Sequence, residues 1–310
     1  MARLGFTEVV ITTAVPESLV GFFTGLGWGH ESLQLTSQCQ EYFALPSDVG
    51  IPSRLQHPSS ECSVLLLPVP ASVPPWRPPE TELVVPGGLF DLNMRTNDSA
   101  FAQAFLREHA WTPFSEPIPW QFGDNSVKEF LSVQSDGVVL AVMERVSPPL
   151  PGPPFDRMSD IFNATQIVQD HDRTLAFLSV LGFGTFIDFT GPLPGEGPRV
   201  LNLQDQPDEV GHIRLTISHP EALMQGSIEV ITTPNIDRPT LRPAHPHQRG
   251  LTALRIPCDD VRRLVDRLTE SPWADALVKP LMVRDLGFGA QECCSVLTPD
   301  GARLDLFQRG

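Results

Sequence analysis

The opening residues of the chain carry two successive hydrophobic patterns, which predict a strand followed by a helix. Residues 5–13, GFTEVVITT, are rich in β-branched side chains and predict the strand. Pro16 and Glu17 place a proline and an acid in the first turn of the helix. Residues 19–23 supply its apolar face, and the glycine-rich residues 25–29 end it. The stretch is therefore one strand–turn–helix unit.

The same unit occurs again halfway along the chain. Residues 162–184 repeat residues 7–29 at an offset of 155, and LGFG at 181–184 matches LGWG at 26–29. A repeat of the opening unit at this distance indicates that the chain contains two copies of one architecture.

Further strands and one helix are predicted between the two copies. Three strands are expected over residues 30–35, 39–45 and 62–67. The elements expected next are a strand at 88–98, a helix at Ser99–His109, and a hairpin of Glu129–Val133 and Val138–Met143 around Ser135-Asp136-Gly137. The predicted module is thus β-α-β-β-β.

The second half repeats these later elements with small changes of offset. Residues 250–256 match 88–94 at an offset of 162, and residues 292–296 match 129–133 at an offset of 163. Glu292 then aligns with Glu129, and this recurrence favours a structural salt bridge over a functional site. The predicted fold class is α+β, with two tandem domains of paired modules.

A proline-rich stretch separates the two halves. Residues 147–155, SPPLPGPPF, have no hydrophobic period and predict an extended, semi-rigid linker. The predicted domains are residues 1–146 and 157–310, joined by a linker at 147–156.

The composition is that of a folded protein and narrows the range of partners. The net charge of −15 argues against nucleic acid or an anionic membrane as the main partner. No apolar run has the length of a membrane span, and the first residues lack a signal-peptide layout, so a cytoplasmic protein is expected. The five cysteines form no paired CxxC motifs and are expected to be buried, reduced thiols. A small molecule is the expected partner, and a homodimer is compatible with the sequence.

Three motifs, each with a counterpart in the first half, carry a family resemblance. They are DHDRTLAF leading to LGF at 170–183, the strand and acidic turn at 250–260, and the closing hairpin at 289–306. In this order and spacing the chain resembles the vicinal oxygen chelate superfamily of glyoxalases, bleomycin-resistance proteins and extradiol dioxygenases. The resemblance covers nearly the whole chain and implies curled mixed sheets, each with a U-shaped cavity.

Enzymes of this superfamily hold a divalent metal in the cavity through side chains on four strands. The matching positions are Asn163, Glu229, Ala253 and Asp305 in the second half, and Glu8, about Leu66, Asp91 and Ala141 in the first. None of them is histidine, so the resemblance implies no tightly bound transition metal. No cofactor is expected, although Asn163, Glu229 and Asp305 are oxygen donors of the kind that bind Mg, Mn or Ca.

The acids at these positions favour carboxylate chemistry. A carboxyl group in an apolar cavity has a raised pKa and can act as a general acid or base. We expect Asp305 and Glu229 to be base and acid, sharing a proton if they lie close together, with Asn163 as an orienting group. Glu8 and Asp91 are the corresponding candidates in the first half. These residues predict a lyase or isomerase that acts on an oxygenated organic molecule.

Other interpretations of the same residues remain open. A binding protein that sequesters a drug or natural product would use the same cavity without catalysis, and an oxygen-ligand metal enzyme is a third function. The acids also have a structural interpretation as hydrogen-bonded or solvent-facing groups. His245 and His247 are lesser candidates at the cavity mouth, and His171 is expected to cap a helix or face water.

Overall fold

The computed structural model describes residues 5–150, 155–204, 212–233, 238–241 and 248–309. The strands are β1 Glu8–Thr13, β2 Gly29–Ser32, β3 Ser53–Gln56, β4 Ser63–Pro68, β5 Asp91–Thr96, β6 Thr112–Pro113, β7 Ile118–Phe122, β8 Asn125–Val133, β9 Val139–Ser147, β10 Met158–Ile167, β11 Gly184–Pro192, β12 His212–His219, β13 Ser227–Thr232, β14 Gly250–Cys258, β15 Leu277–Asp285, β16 Ala290–Leu297 and β17 Arg303–Gln308. The α-helices are α1 Pro16–Gly25, α2 Ser37–Phe43, α3 Ser99–Glu108, α4 His171–Leu181 and α5 Val261–Thr269, and short 3-10 turns occur at Gly197–Arg199 and Ala274–Ala276.

These elements form four modules in chain order. The first module is β1–β4 with α1 and α2, and the second is β5–β9 with α3. The third is β10–β13 with α4, and the fourth is β14–β17 with α5. The predicted α+β class is confirmed.

Aspartates explain where three of the helices begin. Asp98, Asp170 and Asp260 each precede a helix and accept a hydrogen bond from the backbone N–H three residues on, at 2.9 to 3.0 Å. This N-cap satisfies one of the backbone donors that a helix start leaves without a partner. The caps recur because the modules repeat.

Residues 37–43 form the helix α2, where the sequence predicted a strand over 39–45. Thr36 caps it, because its hydroxyl accepts a hydrogen bond from the Cys39 backbone N–H at 2.9 Å. The strand prediction was wrong because a short apolar segment fits both periods. The buried residues lie at helical spacing, namely Cys39, Tyr42 and Phe43.

The strands build two large mixed sheets. The first sheet has the order β15-β16-β17-β14-β1-β4-β3-β2. The second has the order β11-β12-β13-β10-β5-β9-β8-β6, and β7 also pairs with β8. At the centre of each sheet two module-opening strands run antiparallel, β1 with β14 and β10 with β5.

Each sheet therefore combines modules from both halves of the chain. Two curled sheets of paired modules are confirmed, but the partner of each module differs from the one that chain order indicates. The first module joins the fourth and the second joins the third. The repeat does not specify this choice, because every module offers an equivalent opening strand. The division into 1–146 and 157–310 stays a prediction about separate domains, and the hydrogen bonds of both sheets cross it.

The helices α1, α3, α4 and α5 and the outer faces of both sheets share one hydrophobic core. It includes Phe22 of α1, Leu106 of α3, Phe177 of α4 and Leu264 of α5, together with residues from strands of each sheet. The concave inner faces of the sheets are thus left to form any cavities.

Two hairpin aspartates join the two sheets. Asp136 accepts a hydrogen bond from the Thr13 hydroxyl at 2.5 Å and pairs with Arg249. Asp300 accepts one from the Gln169 N–H at 2.8 Å, so each aspartate reaches the end of an opening strand in the other sheet.

Two further predictions concern the whole chain. All five cysteines are free and buried, as predicted. Among the helices that the structure describes, none is long and apolar enough to cross a membrane.

Candidate functional site

The concave face of the first sheet is filled by the helix α2. Tyr42 and Phe43 of this helix pack against Val10, Leu65 and Ala253 on the sheet. The Arg303 guanidinium lies over the Tyr42 ring, 4.8 Å from its centroid. The groove that the resemblance implies is thus occupied by the chain itself.

Glu8 is a structural carboxylate in this first sheet. It forms salt bridges with Arg255 and, at 2.8 Å, with Arg54, and it accepts a hydrogen bond from the Ser63 hydroxyl at 3.0 Å. Burial by itself would raise the pKa of Glu8, but the two guanidinium groups outweigh it and lower that pKa. Glu8 is therefore held ionised between two arginines.

Asp305 also lies in the first sheet and has fixed partners. It accepts hydrogen bonds from the Ser295 hydroxyl at 2.6 Å and from the Arg303 Nε at 2.7 Å. Glu229 belongs to β13 of the second sheet. The predicted proton sharing between Asp305 and Glu229 is wrong, because the unexpected pairing of modules separates them. The oxygen-ligand set of Asn163, Glu229 and Asp305 is not assembled for the same reason.

The concave face of the second sheet encloses a cavity of about 170 Å³. An apolar cavity of about 150 Å³ holds a benzene molecule, so this one admits a small organic ligand. The strands β5, β8, β9, β10 and β13 contribute its charged and amide side chains. Most of the wall is apolar and includes Phe90, Leu131, Ile187, Leu215, Ile217 and Ile231.

The alternation of β5 explains how polar side chains reach this cavity. Asp91, Asn93 and Arg95 are two residues apart, so they point to the same face, and all three line the cavity. Leu92 and Met94 point to the other face and join the core with the helices. One strand therefore supplies both the core and the site.

Three carboxyl groups line the cavity, those of Asp91, Glu129 and Glu229. Glu229 accepts a hydrogen bond from the Thr165 hydroxyl at 2.9 Å, and Glu129 accepts one from the Trp120 indole N–H at 3.0 Å. Within the described part of the chain, none of the three forms a salt bridge.

Burial raises the pKa of each of these carboxyl groups. The pKa of Glu229 rises to about 8, because burial and the neighbouring Asp91 outweigh the hydrogen bond from Thr165. The pKa of Glu129 rises to about 7, since burial outweighs the hydrogen bond from Trp120. Burial also raises the pKa of Asp91 to about 7, against hydrogen bonds from Thr165 and Asn93. The three groups thus titrate together near neutral pH.

The side-chain amide of Asn93 lies at the centre of the polar floor. Its Nδ2 is 2.9 Å from Asp91 Oδ1, 3.0 Å from Asn163 Oδ1 and 3.0 Å from Thr165 Oγ1. Asn163 in turn donates to the Ser227 hydroxyl at 2.9 Å. Both ends of the Asn163 amide are therefore engaged, and it acts on the site by holding Asn93.

These residues do not fit the metal that the resemblance implies. A cation here would be surrounded by oxygens of Asp91, Asn163 and Thr165. These oxygens instead lie within hydrogen-bond distance of the side-chain amide nitrogen of Asn93. Among the described residues, no imidazole lines the cavity. Across the described residues, no group of three or more His, Cys, Asp or Glu side chains is arranged to hold a metal ion.

Glu129 is the site residue that the sequence interpretation dismissed. Its proposed match to Glu292 was one residue out of register, because Asp136 and Asp300 of the two hairpin turns align at an offset of 164. A shift of one residue moves a strand side chain to the opposite face. Glu292 accordingly pairs with Arg262 and does not line this cavity, whereas Glu129 points inward.

The other predicted positions are divided between the sheets. Asp91, Ala141, Asn163 and Glu229 meet in the second sheet, and Glu8, Ala253 and Asp305 meet in the first. Leu66 faces the core with the helices.

The expectations for three histidines can be compared with the structure. His171 does not face water: it is buried between the Thr232 and Thr216 hydroxyls, at 2.6 and 2.8 Å. His245 and His247 lie outside the described residues.

The fold resembles solved structures over its whole length. Glyoxalase I from Zea mays aligns with a TM-score of 0.62 and 12% identity, over 98% of this chain and 92% of that one. A Bacillus subtilis protein named as a dioxygenase aligns with a TM-score of 0.55 and 11% identity, over 99% and 86%. No protein-family model and no curated protein matches the sequence. The chain therefore has the fold of these glyoxalase and dioxygenase structures, as the resemblance implied.

Proposed function

We propose that the cavity of the second sheet catalyses proton transfer on a small oxygenated organic molecule, in a lyase or isomerase reaction. Glu229 and Glu129 are its acid and base. The observation that supports this most is their placement. They lie on β13 and β8, on the two sides of the central strands β10 and β5, and both line one cavity without a salt-bridge partner in the described part of the chain.

The pKa values of about 8 and about 7 suit this task. General acid–base catalysis is most effective when the pKa of the catalytic group lies near the working pH. The charge of ionised Glu129 raises the pKa of Glu229 further, so Glu129 is ionised first as the pH rises and Glu229 keeps its proton longer.

The transfer needs no oxidant or reductant. The ionised carboxylate removes a proton from the carbon beside a carbonyl, and the C–H electron pair becomes a C=C bond. The carbonyl π pair takes the proton of the other carboxyl and becomes an O–H group. Return of a proton to another carbon completes an isomerisation, and loss of a leaving group from the adjacent carbon gives an elimination.

A binding protein is the second candidate, because most of the cavity wall is apolar. Such a protein would hold its ligand in the same place and return it unchanged. The two functions differ in whether protons of the ligand exchange.

Deuterium exchange tests the proposal without a known substrate. A panel of small oxo and hydroxy compounds is incubated with the protein in D₂O, and the protons beside each carbonyl are followed by proton NMR. Glu229→Gln and Glu129→Gln are compared with Glu292→Gln, which changes an acid of the equivalent hairpin that lies outside the cavity.

We expect exchange with the wild-type protein and with Glu292→Gln, and a loss of about 100-fold in each cavity variant. Exchange that both cavity variants retain would contradict the assignment. Stoichiometric binding without any exchange would favour the binding protein.

A further inference from the structure

Two arginines line the same cavity as the three carboxyls. Arg95 lies on β5, four residues beyond Asp91, and Arg145 lies on the adjacent strand β9. Four residues of strand span about 13 Å. Asp91 and Glu229, which pair with Thr165 in one row of the sheet, therefore lie about this far along the strands from the arginines. Glu129 lies in the row of Arg95, two strands away, because both pair with Met143.

Neither guanidinium has a carboxylate partner among the described residues. Burial lowers the pKa of Arg95, and the charge of Arg145 lowers it further. The charge of Asp160 raises that pKa only in part, and Asp160 forms no salt bridge with Arg95. Burial also lowers the pKa of Arg145, whose Nε is buried without a hydrogen-bond partner. Two partly buried cations side by side are unusual in a chain with a net charge of −15.

Both side chains are held in position. The Arg95 guanidinium lies over the Phe162 ring, 4.1 Å from its centroid. Arg145 Nη1 donates to the Asn125 Oδ1 at 2.6 Å. These contacts fix the two groups yet leave donors free, which is the arrangement that binds an anion at low entropic cost.

We infer that the ligand of this cavity is an organic acid, whose carboxylate lies between Arg95 and Arg145 and whose uncharged oxygen group faces Glu229 and Glu129. Guanidinium groups bind carboxylates through paired, charge-assisted hydrogen bonds. The opposite end repels a second anion, because Asp91 and Glu229 already compete for protons there. The inference rests on the proposed function for the reacting end alone, and the anion-binding end stands by itself.

The shape of the cavity adds a second requirement. Leu131, Ile187 and Leu215 line the wall, so the middle of the ligand is apolar. A single ring or short alkyl chain, with its two polar groups at opposite ends, meets both requirements.

The test compares acids with neutral analogues of the same shape. Benzoate, para-hydroxybenzoate and levulinate are each measured beside the corresponding primary amide, by ligand-observed NMR at millimolar concentration. The variants are Arg95→Met and Arg145→Met. Arg157→Met is the matched control, because Arg157 also lies over a ring, that of Phe101, but does not line the cavity.

We expect at least one acid to bind about tenfold or more tightly than its amide, with this preference weakened by salt. Arg95→Met and Arg145→Met should abolish the preference, and Arg157→Met should retain it. Amides that bind as tightly as the acids, or a panel in which no acid binds, would overturn the inference.

The outcome is separable from that of the proposed function. If Glu229→Gln keeps the preference for acids and the wild-type protein shows no deuterium exchange, the anion-binding end is supported and the catalytic role is contradicted. If the protein exchanges protons of neutral ketones and shows no preference for acids, the catalytic role is supported and the anion-binding end is contradicted.

Discussion

Asn93 and Arg255 occupy equivalent positions in the two sheets. Asn93 pairs with Asn163 across the central strands of the second sheet, as Arg255 pairs with Glu8 across those of the first. Each places a side-chain nitrogen among oxygen acceptors. The superfamily resemblance implies a metal ion at this position. In both sheets a side-chain N–H donor, from Asn93 or Arg255, lies there.

Replacement of Asn93 by aspartate should open that place to a cation. Asn93→Asp removes the amide N–H donor and adds a fourth carboxyl, which favours hard divalent ions. We expect Mn²⁺ to raise the unfolding temperature of the variant by roughly 5 °C at saturating concentration and to leave the wild-type protein unchanged. Differential scanning fluorimetry with and without EDTA measures this.

Asn97→Asp is the control for charge alone, since Asn97 is exposed just beyond the same strand. An equal response to Mn²⁺ in both variants would mean that the ion binds outside the cavity.

Loss of the Glu8 charge should destabilise the first sheet. Glu8→Gln leaves Arg255 buried without its ion-pair partner, and breaking a buried pair in this way costs about 3 kcal/mol or more. We expect the urea unfolding midpoint to fall accordingly, while ligand binding in the second sheet is unchanged for the folded fraction.

The double variant Glu8→Leu with Arg255→Met distinguishes the origin of this loss. Because it removes both charges, it should recover most of the stability. A double variant as unstable as Glu8→Gln would point to packing instead of an unpaired charge.

The cavity carboxyls should make the protein less stable as pH rises. The pKa of Glu229 is about 8 in the folded protein and 4.5 as its ordinary value, so its contribution is complete below about pH 4.5 and is lost as pH rises through about 8. Glu229→Gln removes this loss. We expect the variant to exceed the wild type at pH 8 by on the order of 3 kcal/mol, with a much smaller difference at pH 5.

Unfolding in urea at the two pH values measures the effect, with Glu292→Gln as the control for an acid outside the cavity. A difference between Glu229→Gln and the wild type that does not change with pH would contradict the raised pKa.

Removal of the Trp120 indole N–H should raise the pKa of Glu129. This hydrogen bond favours the ionised carboxylate, so Trp120→Phe should move the pKa upward from about 7. Titration of the ¹³C-labelled Glu carboxyls by NMR measures the shift. Trp111→Phe is the control, because the Trp111 indole nitrogen has no hydrogen-bond partner. A similar shift in both variants would assign the effect to packing.

Local patterns in the sequence predicted much of the architecture. The strand–turn–helix unit, its repeat and the aspartate at three helix starts depend on neighbouring residues, and the structure has them where the sequence indicates. Which module joins which depends on contacts between opening strands that have nearly the same hydrophobic pattern. No local signal in the sequence therefore distinguishes one pairing of modules from another. For this reason the sequence placed Asp305 beside Glu229.

Glu129 was missed for a different reason. Its alignment with Glu292 was off by one residue, and in a strand that error exchanges the cavity face for the outer face. The hairpin turns held the correct signal, since Asp136-Gly137 and Asp300-Gly301 align one residue further along. Phe130 and Cys294, which then match, both lie in the core with the helices.

The pairing of the first module with the fourth has a consequence for the order of folding during synthesis. Asn93 and Asn163 are 70 residues apart, so the second sheet can close soon after β13 leaves the ribosome. Thr12 and Thr252, which meet in the first sheet, are 240 residues apart. The opening module must wait, with β1 lacking its partner β14, until the last module arrives. The completed cavity sheet then serves as the surface on which the two ends of the chain meet.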